Sequence, residues 1–305
     1  MCMEQPATIV AFTPNLALGR TLELVERKLT PGKLHRVRVT HEAAGGGGVN
    51  LARVVKALGG EAIVAGFLAG WNGKKFRQLL SSEGLPGVFQ EVKGETRECH
   101  ILLDGGPHPT EVYESGPRVS GEDWEELIRG FPPGRIVVSG SLPPGITTEA
   151  FRALLHRFPS RPVVDTSGST LVAALEARVA LVKCNQAELA DVVGRDSEGG
   201  VEEATELFQR YQTPILLTQG ASGAVLIDQE SYWATPPEIS VRNPVCSGDS
   251  LLGAFLWGLA QGLSSPEALR IGVAAGAENA RTTQCGVTAE GVLEIREQTQ
   301  TGRIN

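Results

Sequence analysis

Positive charge is in short supply along this chain. Its 28 Lys and Arg face 35 Asp and Glu, for a formal net charge of −7. No basic stripe is present, which argues against a surface built for non-specific nucleic-acid binding. No run approaches the roughly 18 to 20 apolar residues that span a bilayer. The opening residues, MCMEQPATIV, lack the basic-then-apolar pattern of a leader, so the cytoplasm is the expected compartment. The five cysteines (Cys2, Cys99, Cys184, Cys246, Cys285) are scattered and form no CxxC pair. The five histidines show neither HxxxH nor HExxH spacing. A structural zinc site and a disulfide framework are therefore not expected, and reduced thiols are. Neither G-x-G-x-x-G nor G-x-x-x-x-G-K-[ST] occurs, so the dinucleotide and P-loop fingerprints are missing too.

What is present suits one large domain. The 305 residues are 41% hydrophobic, enough for a sizeable core. Short apolar runs read as strands at 7–12, 61–67, 135–140, 162–167, 180–184, 214–219 and 223–228. Amphipathic stretches read as helices at 49–60, 122–131, 148–158, 186–194 and 201–211, and two more follow at 248–262 and 265–281. The strands are apolar throughout rather than alternating, as in a parallel α/β sheet covered on both faces. Residues 20–43 and 97–115 instead alternate polar and apolar. They read as antiparallel strands with one wet face, forming a small lid inserted in a single domain spanning 1–305. Its segments run over approximately 14–43 and 90–115.

Ligands of open α/β sheets bind beyond the carboxyl ends of the strands. Four turns stand out there. AAGGGGVNLARVV (43–55) exposes backbone amides at Gly45, Gly46, Gly47 and Gly48 before a helix, as an anion cradle or simply a flexible turn. VVSGSLPPGI (137–146) ends a strand in hydroxyl residues, and its prolines make a rigid connection. LLTQGASGAVLID (216–228) breaks two strands at Gly220 and Gly223 and by itself reads as a hairpin. NPVCSGDSLLGAF (243–255) puts Asp249 at the start of an apolar helix, where alone it reads as a dipole-favoured acid.

Taken together and in order, these motifs resemble the phosphofructokinase B family of ribokinase-like carbohydrate kinases. GGGGVNLAR (45–53) is similar to the family's first signature and NPVCSGDSLLGAF to its second. ETR (95–97), SGSLPPG (139–145), VDTSG (164–168), KCNQAEL (183–189) and TQGASGA (218–224) match motifs between them. The all-glycine loop, with GKL (32–34) upstream, is closest to the hexose-phosphate members. The resemblance implies a mostly parallel sheet between helices, a small β-sheet lid that pairs two subunits into a homodimer, and phosphoryl transfer from Mg-ATP to a sugar hydroxyl. Under it, Asp249 is the catalytic base, and the amides of Ser247 and Gly248, beside Cys246, form the anion hole with those that start the helix. Lys183 approaches the nucleotide phosphates. Asn185 and Glu188 belong to the Mg²⁺–phosphate network, Glu188 through water. Thr218, Gly220 and Gly223 line the nucleotide. Gly45, Gly46, Gly47, Asn50 and Ser139 touch the sugar, and Lys33 and Arg97 hold its existing phosphate.

The pattern departs in three places. The family's first strand ends in a motif like NPALD, whose aspartate grips sugar hydroxyls. Here TPNLALGR (13–20) is read with Gly19 at that aspartate, and Asn15 is a candidate substitute. Cys99 replaces a polar residue after Arg97. Cys246-Ser247 replaces Gly-Ala, and a Cβ at 246 disfavours positive φ. The expected acceptor is a ketohexose phosphate: fructose 6-phosphate first, then fructose 1-phosphate or tagatose 6-phosphate. An unphosphorylated sugar or nucleoside, or ligand binding with little kinase activity, stand as alternatives.

Overall fold

Apolar runs this short need cover on both faces, and the strands show how it is arranged. The computed structural model describes residues 8–26, 28–106, 109–158, 160–194 and 200–304. Cys2 and the first seven residues of the stretch read for a leader lie outside them. In chain order the first half holds β1 (Ile9–Thr13), β2 (Ala17–Leu24), β3 (Val37–Gly45), α1 (Gly47–Ala57), β4 (Ala62–Leu68), α2 (Gly70–Ser82), β5 (Gly87–Glu91), β6 (Arg97–Leu103), β7 (Thr110–Tyr113), α3 (Gly121–Arg129) and β8 (Arg135–Ser139). The second half holds α4 (Thr148–Leu155), β9 (Val163–Asp165), α5 (Gly168–Glu176), β10 (Leu181–Asn185), α6 (Gln186–Val193), α7 (Val201–Tyr211), β11 (Ile215–Thr218), β12 (Ala224–Ile227) and β13 (Tyr232–Thr235). Then come α8 (Ser247–Ala260), α9 (Ser265–Ala280), α10 (Ala289–Gln298) and β14 (Gln300–Arg303). None of the described helices is long and apolar enough to cross a membrane.

Ten strands form one sheet in the order β14-β13-β12-β11-β10-β9-β8-β1-β4-β5. Pairing is parallel from β5 through β11 and antiparallel from β11 to β14. The period of two divides each central strand between two cores. On β1, Ile9 and Ala11 join Val49, Leu252 and Leu269 from α1, α8 and α9 on one face. Val10 and Phe12 join Trp124, Phe151 and Leu171 from α3, α4 and α5 on the other. Each fully buried side chain of this size contributes roughly 1.5–3 kcal/mol. This is the three-layer α/β/α architecture expected from the apolar strands.

Four strands make the separate lid, ordered β3-β2-β6-β7. The expected antiparallel pairing holds within each segment, between β2 and β3 and between β6 and β7. It fails between them: β2 and β6 run parallel. Each begins close to where a main-sheet strand ends, so both leave the body in the same direction. Helix α2 fastens this lid, for Asn72 Nδ2 donates to Thr96 O at 3.0 Å and the Trp71 and Asn72 amides donate to the Glu95 carboxylate.

Close helix packing sets where α8 begins. A Cβ at Gly253 would sit 2.8 Å from Leu51 O, so α8 lies against α1 through a glycine face. That contact brings the first turn of α8 beside the first turn of α1, at the mouth of the sheet.

Candidate active site

A cavity of about 530 Å³ opens between the lid and the carboxyl ends of β8, β9, β10 and β11. Asp249 lines it, as the third residue of α8. Its Oδ2 accepts from Asn50 Nδ2 at 2.8 Å. The Asn50 amide is oriented in turn, because Arg53 Nη1 donates to its Oδ1 at 2.9 Å. Burial, reinforced by the Asp165 charge, pushes the Asp249 carboxyl up to about 6, against the opposing pull of Lys183 and the Asn50 hydrogen bond. A carboxylate held there is ionised at neutral pH yet remains a competent proton acceptor.

The glycine loop presses on the same point. A Cβ at Gly47 would stand 2.2 Å from Ser139 Oγ and 3.1 Å from Asp249 Oδ1, so only glycine leaves this approach free. Gly45, Gly46 and Gly47 all line the cavity, and the Gly48 amide donates to Thr13 Oγ1 at 3.0 Å. Ser139 Oγ donates to Asp165 Oδ2 at 3.1 Å, and Lys183 Nζ lies 2.9 Å from Asp165 Oδ1. Burial alone would lower the Lys183 pKa. The Asp165, Asp249 and Glu188 charges outweigh it and hold the ammonium protonated. Lys183 Nζ also lies 2.9 Å from the point where a Cβ of Gly248 would be, which puts a fixed cation beside the first turn of α8.

That first turn is where the resemblance places an anion hole. The Ser247 amide donates to Pro244 O at 3.2 Å, and its hydroxyl accepts from Asn279 Nδ2 at 3.1 Å. The Ser250 amide donates to Cys246 O. A helix leaves its first amides without intrahelical partners, so those of Gly248 and Asp249 face the cavity. Of the amides expected to form the hole, that of Ser247 is taken up by Pro244 O, while Gly248 and Asp249 line the cavity.

The thiol expectation is corrected. Cys246 and Cys285 form a disulfide across 39 residues, with Cα atoms 5.6 Å apart. Helices α8 and α9 pack antiparallel, which returns the chain to the start of α8 and brings Cys285 into the cavity wall. Cys246 adopts φ 68°, the conformation its Cβ was expected to resist. Cys99 and Cys184 are free thiols; burial pushes Cys99 up to about 11 and Cys184 up to about 12.

Of the residues expected at the nucleotide, Lys183, Asn185, Glu188 and Thr218 line the cavity. Asn185 and Glu188 cap α6 reciprocally: Asn185 Oδ1 accepts from the Glu188 amide and Glu188 Oε2 from the Asn185 amide. Burial raises the Glu188 carboxyl despite Lys183. Gly220 and Gly223 do not reach the lining. Gly223, at φ 94°, packs against Ala234 O as part of the β11–β12 turn.

On the lid side, Arg97 lines the cavity, its guanidinium donating to Asn15 O at 2.9 and 3.1 Å. Lys33 lies outside the lining, exposed in the β2–β3 connection. Asn15 is absent from the lining; its amide donates to Ser115 O at 3.1 Å and to Oγ of the lining residue Ser141 at 3.4 Å. Both Ala17 and Gly19 face the cavity, two residues apart on one side of β2, and neither carries a carboxylate. His41, Arg53, Glu111, Asp165 and Cys285 are lining residues that motif matching did not single out as site residues. Of these, Arg53 closes the GGGGVNLAR motif and Asp165 ends an apolar strand in VDTSG, so both lay within stretches that carried a sequence signal. Among the described residues no cluster of three His, Cys, Asp or Glu is placed to hold a metal ion.

This geometry has relatives. The chain is 34% identical to a 1-phosphofructokinase of Escherichia coli (strain K12) over 94% of each chain, and 32% identical to a 1-phosphofructokinase of Bacillus subtilis (strain 168) over 90% of this chain and 93% of that one. It superposes on the crystal structure of phosphofructokinase-2 from Escherichia coli in complex with potassium with a TM-score of 0.86 at 26% identity, covering 97% of this chain and 99% of that one. The pfkB family carbohydrate kinase pattern matches residues 14–290, and the chain belongs to this family of ATP-dependent carbohydrate kinases, as a hexose-phosphate kinase.

Proposed function

We propose that the acceptor is fructose 1-phosphate, phosphorylated on its free primary hydroxyl, with Asp249 as the base. The observation that carries this reading is Asp249 itself: a buried carboxylate raised to about 6, on a helix N-terminus, facing a lid that bears Arg97. The names of the curated relatives favour fructose 1-phosphate over fructose 6-phosphate, which the loop motif had put first.

Asp249 orients the attacking hydroxyl and takes its proton as the new oxygen–phosphorus bond forms and the bond from the γ-phosphorus to the departing ADP breaks. The Gly248 and Asp249 amides and the Lys183 ammonium stabilise the charge that builds on the moving phosphoryl group. Arg97 meets the phosphate already on the sugar. Mg²⁺ supplies charge neutralisation on the nucleotide phosphates when bound. The oxygen-rich wall at Glu188 and Asn185 suits a hard cation reached through water. Exposed apolar side chains on the lid, Val37, Val39, Val112 and Tyr113, support a homodimer formed through this sheet.

A coupled ADP-release assay over fructose 1-phosphate, fructose 6-phosphate, tagatose 6-phosphate and fructose tests the assignment. The highest kcat/KM is expected on fructose 1-phosphate. A preference for fructose itself would overturn the claim that a substrate phosphate is held.

A further inference from the structure

Among the described residues, three non-glycine residues have positive φ: Arg178, Gln212 and Cys246. Gln212 caps the carboxyl end of α7, and Arg178 comes two residues after α5. Left-handed backbone is ordinary at such positions. Cys246 is different, because it caps the amino end of α8, where extended backbone is the rule, and its side chain caps no amide. A non-glycine residue there stays left-handed only if its surroundings hold it.

Two observations show what holds it. The disulfide joins Cys246 to Cys285. The far end of that bond is itself anchored, because the fully buried Asn279 accepts from the Gly286 amide at 2.9 Å through Oδ1. Through Nδ2 the same side chain donates to Val245 O at 2.7 Å and to Ser247 Oγ at 3.1 Å. The bond also borders the chemistry. Asn50 Nδ2, which holds Asp249, lies 3.2 Å from Cys246 Sγ, and both cysteines line the cavity.

We infer that Cys285 is a positioning residue for phosphoryl transfer: its disulfide holds Cys246 in the conformation that aims the Gly248 and Asp249 amides into the anion hole, and a dithiol that opens the bond lowers turnover. Opening is a two-electron exchange. The dithiol gives two electrons and two protons, leaving Cys246 and Cys285 as thiols and itself as a cyclic disulfide. Cys246 then relaxes towards extended backbone and the amides turn away. The inference rests on the proposed role of the α8 terminus in catalysis.

Dithiothreitol tests it on the intact chain, with the state of the bond read by alkylation and mass spectrometry. Reduction is expected to expose two further alkylatable thiols, to speed amide exchange at Gly248–Ser250, and to lower kcat about tenfold, as loss of one left-handed residue's restraint implies. KM for the sugar phosphate should stay unchanged, since the hole acts on the transition state. Cys285→Ser should show the lowered kcat with or without dithiothreitol. Adding Cys246→Gly to that variant should restore part of it, because glycine takes φ 68° freely. Unchanged exchange at Gly248–Ser250 after verified reduction overturns the inference, even if no sugar phosphate is turned over. Full alkylation of Cys246 and Cys285 before reduction overturns it as well. Absence of turnover in both redox states, with exchange responding as expected, would count against the proposed function alone.

Discussion

Lys183 and Asp165 form a buried ion pair at 2.9 Å on the floor of the cavity, and Ser139 donates to the second carboxylate oxygen. The pair connects β10 to β9 and sets the potential felt by Asp249. Replacing Asp165 with Asn leaves Lys183 without its nearest anion, and breaking such a pair costs on the order of 3 kcal/mol. Asp165 also helps to hold the Asp249 carboxyl near 6, so its loss should move the acid limb of kcat/KM to lower pH. Urea unfolding and a pH–rate profile measure the two effects. An unmoved acid limb would contradict the electrostatic link.

Asp249→Asn separates catalysis from stability. Loss of a general base should lower kcat by roughly 10²–10⁴-fold while ATP binding, read by calorimetry, is retained. The stability effect has the opposite sign. The folded pKa of about 6 lies above the ordinary aspartate value of 3.8, so the folded state holds the proton more tightly. Stability contributed by the protonated form is present below about pH 4 and is lost as pH rises to about 6. Above that, the buried carboxylate is a cost, on the order of 1–3 kcal/mol. The Asn variant should therefore melt higher than the wild type at pH 8 and no higher at pH 4.

Much of this site was legible because its parts are local. The glycine loop, the Asp249 turn and KCNQAEL each lie within one short segment, and the apolar strands announced burial on both faces. Helix α2 escaped because Gly70, Gly73 and the Lys74-Lys75 pair blur its apolar stripe, leaving Phe76 and Leu80 as its large buried side chains. The parallel β2–β6 pairing escaped because strand sense depends on where each segment leaves the body. The Cys246–Cys285 bond and the Asn279 anchor escaped for the same reason at longer range, since both depend on α9 returning along α8. The capture of the Ser247 amide by Pro244 O escaped because a motif does not reveal the fold of the turn before the helix.

Gly47→Ala tests the closeness of the glycine loop to the base. The added methyl would meet Ser139 Oγ at 2.2 Å and Asp249 Oδ1 at 3.1 Å, and neither can withdraw without breaking a hydrogen bond or moving the carboxylate. The overpacking should cost about 1–3 kcal/mol in stability. A displaced base should lower kcat/KM by roughly 10²-fold, since misplacement of about 1 Å is enough. Gly59→Ala is the control: no atom lies within 4 Å of its Cβ position, so only its positive φ is strained and turnover should hold.

Arg97 and Lys33 carried the same expected role, and the structure distinguishes them. Arg97 lines the cavity from β6, held in place by two bonds to Asn15 O, whereas Lys33 is exposed in the β2–β3 connection. A charge-assisted bond to a substrate phosphate contributes about 1.5–3 kcal/mol, so Arg97→Ala should raise KM for fructose 1-phosphate by roughly 10- to 100-fold. KM for ATP should not change, because Arg97 sits on the lid side. Lys33→Ala should leave both constants within about twofold in the single chain. If the lid pairs two subunits, Lys33 could instead reach a neighbouring site. A large KM rise in Lys33→Ala that disappears when dilution separates the subunits, as read by light scattering, would place Lys33 across that interface. A rise that survives dilution would mean that the β2–β3 connection folds over its own cavity when substrate binds.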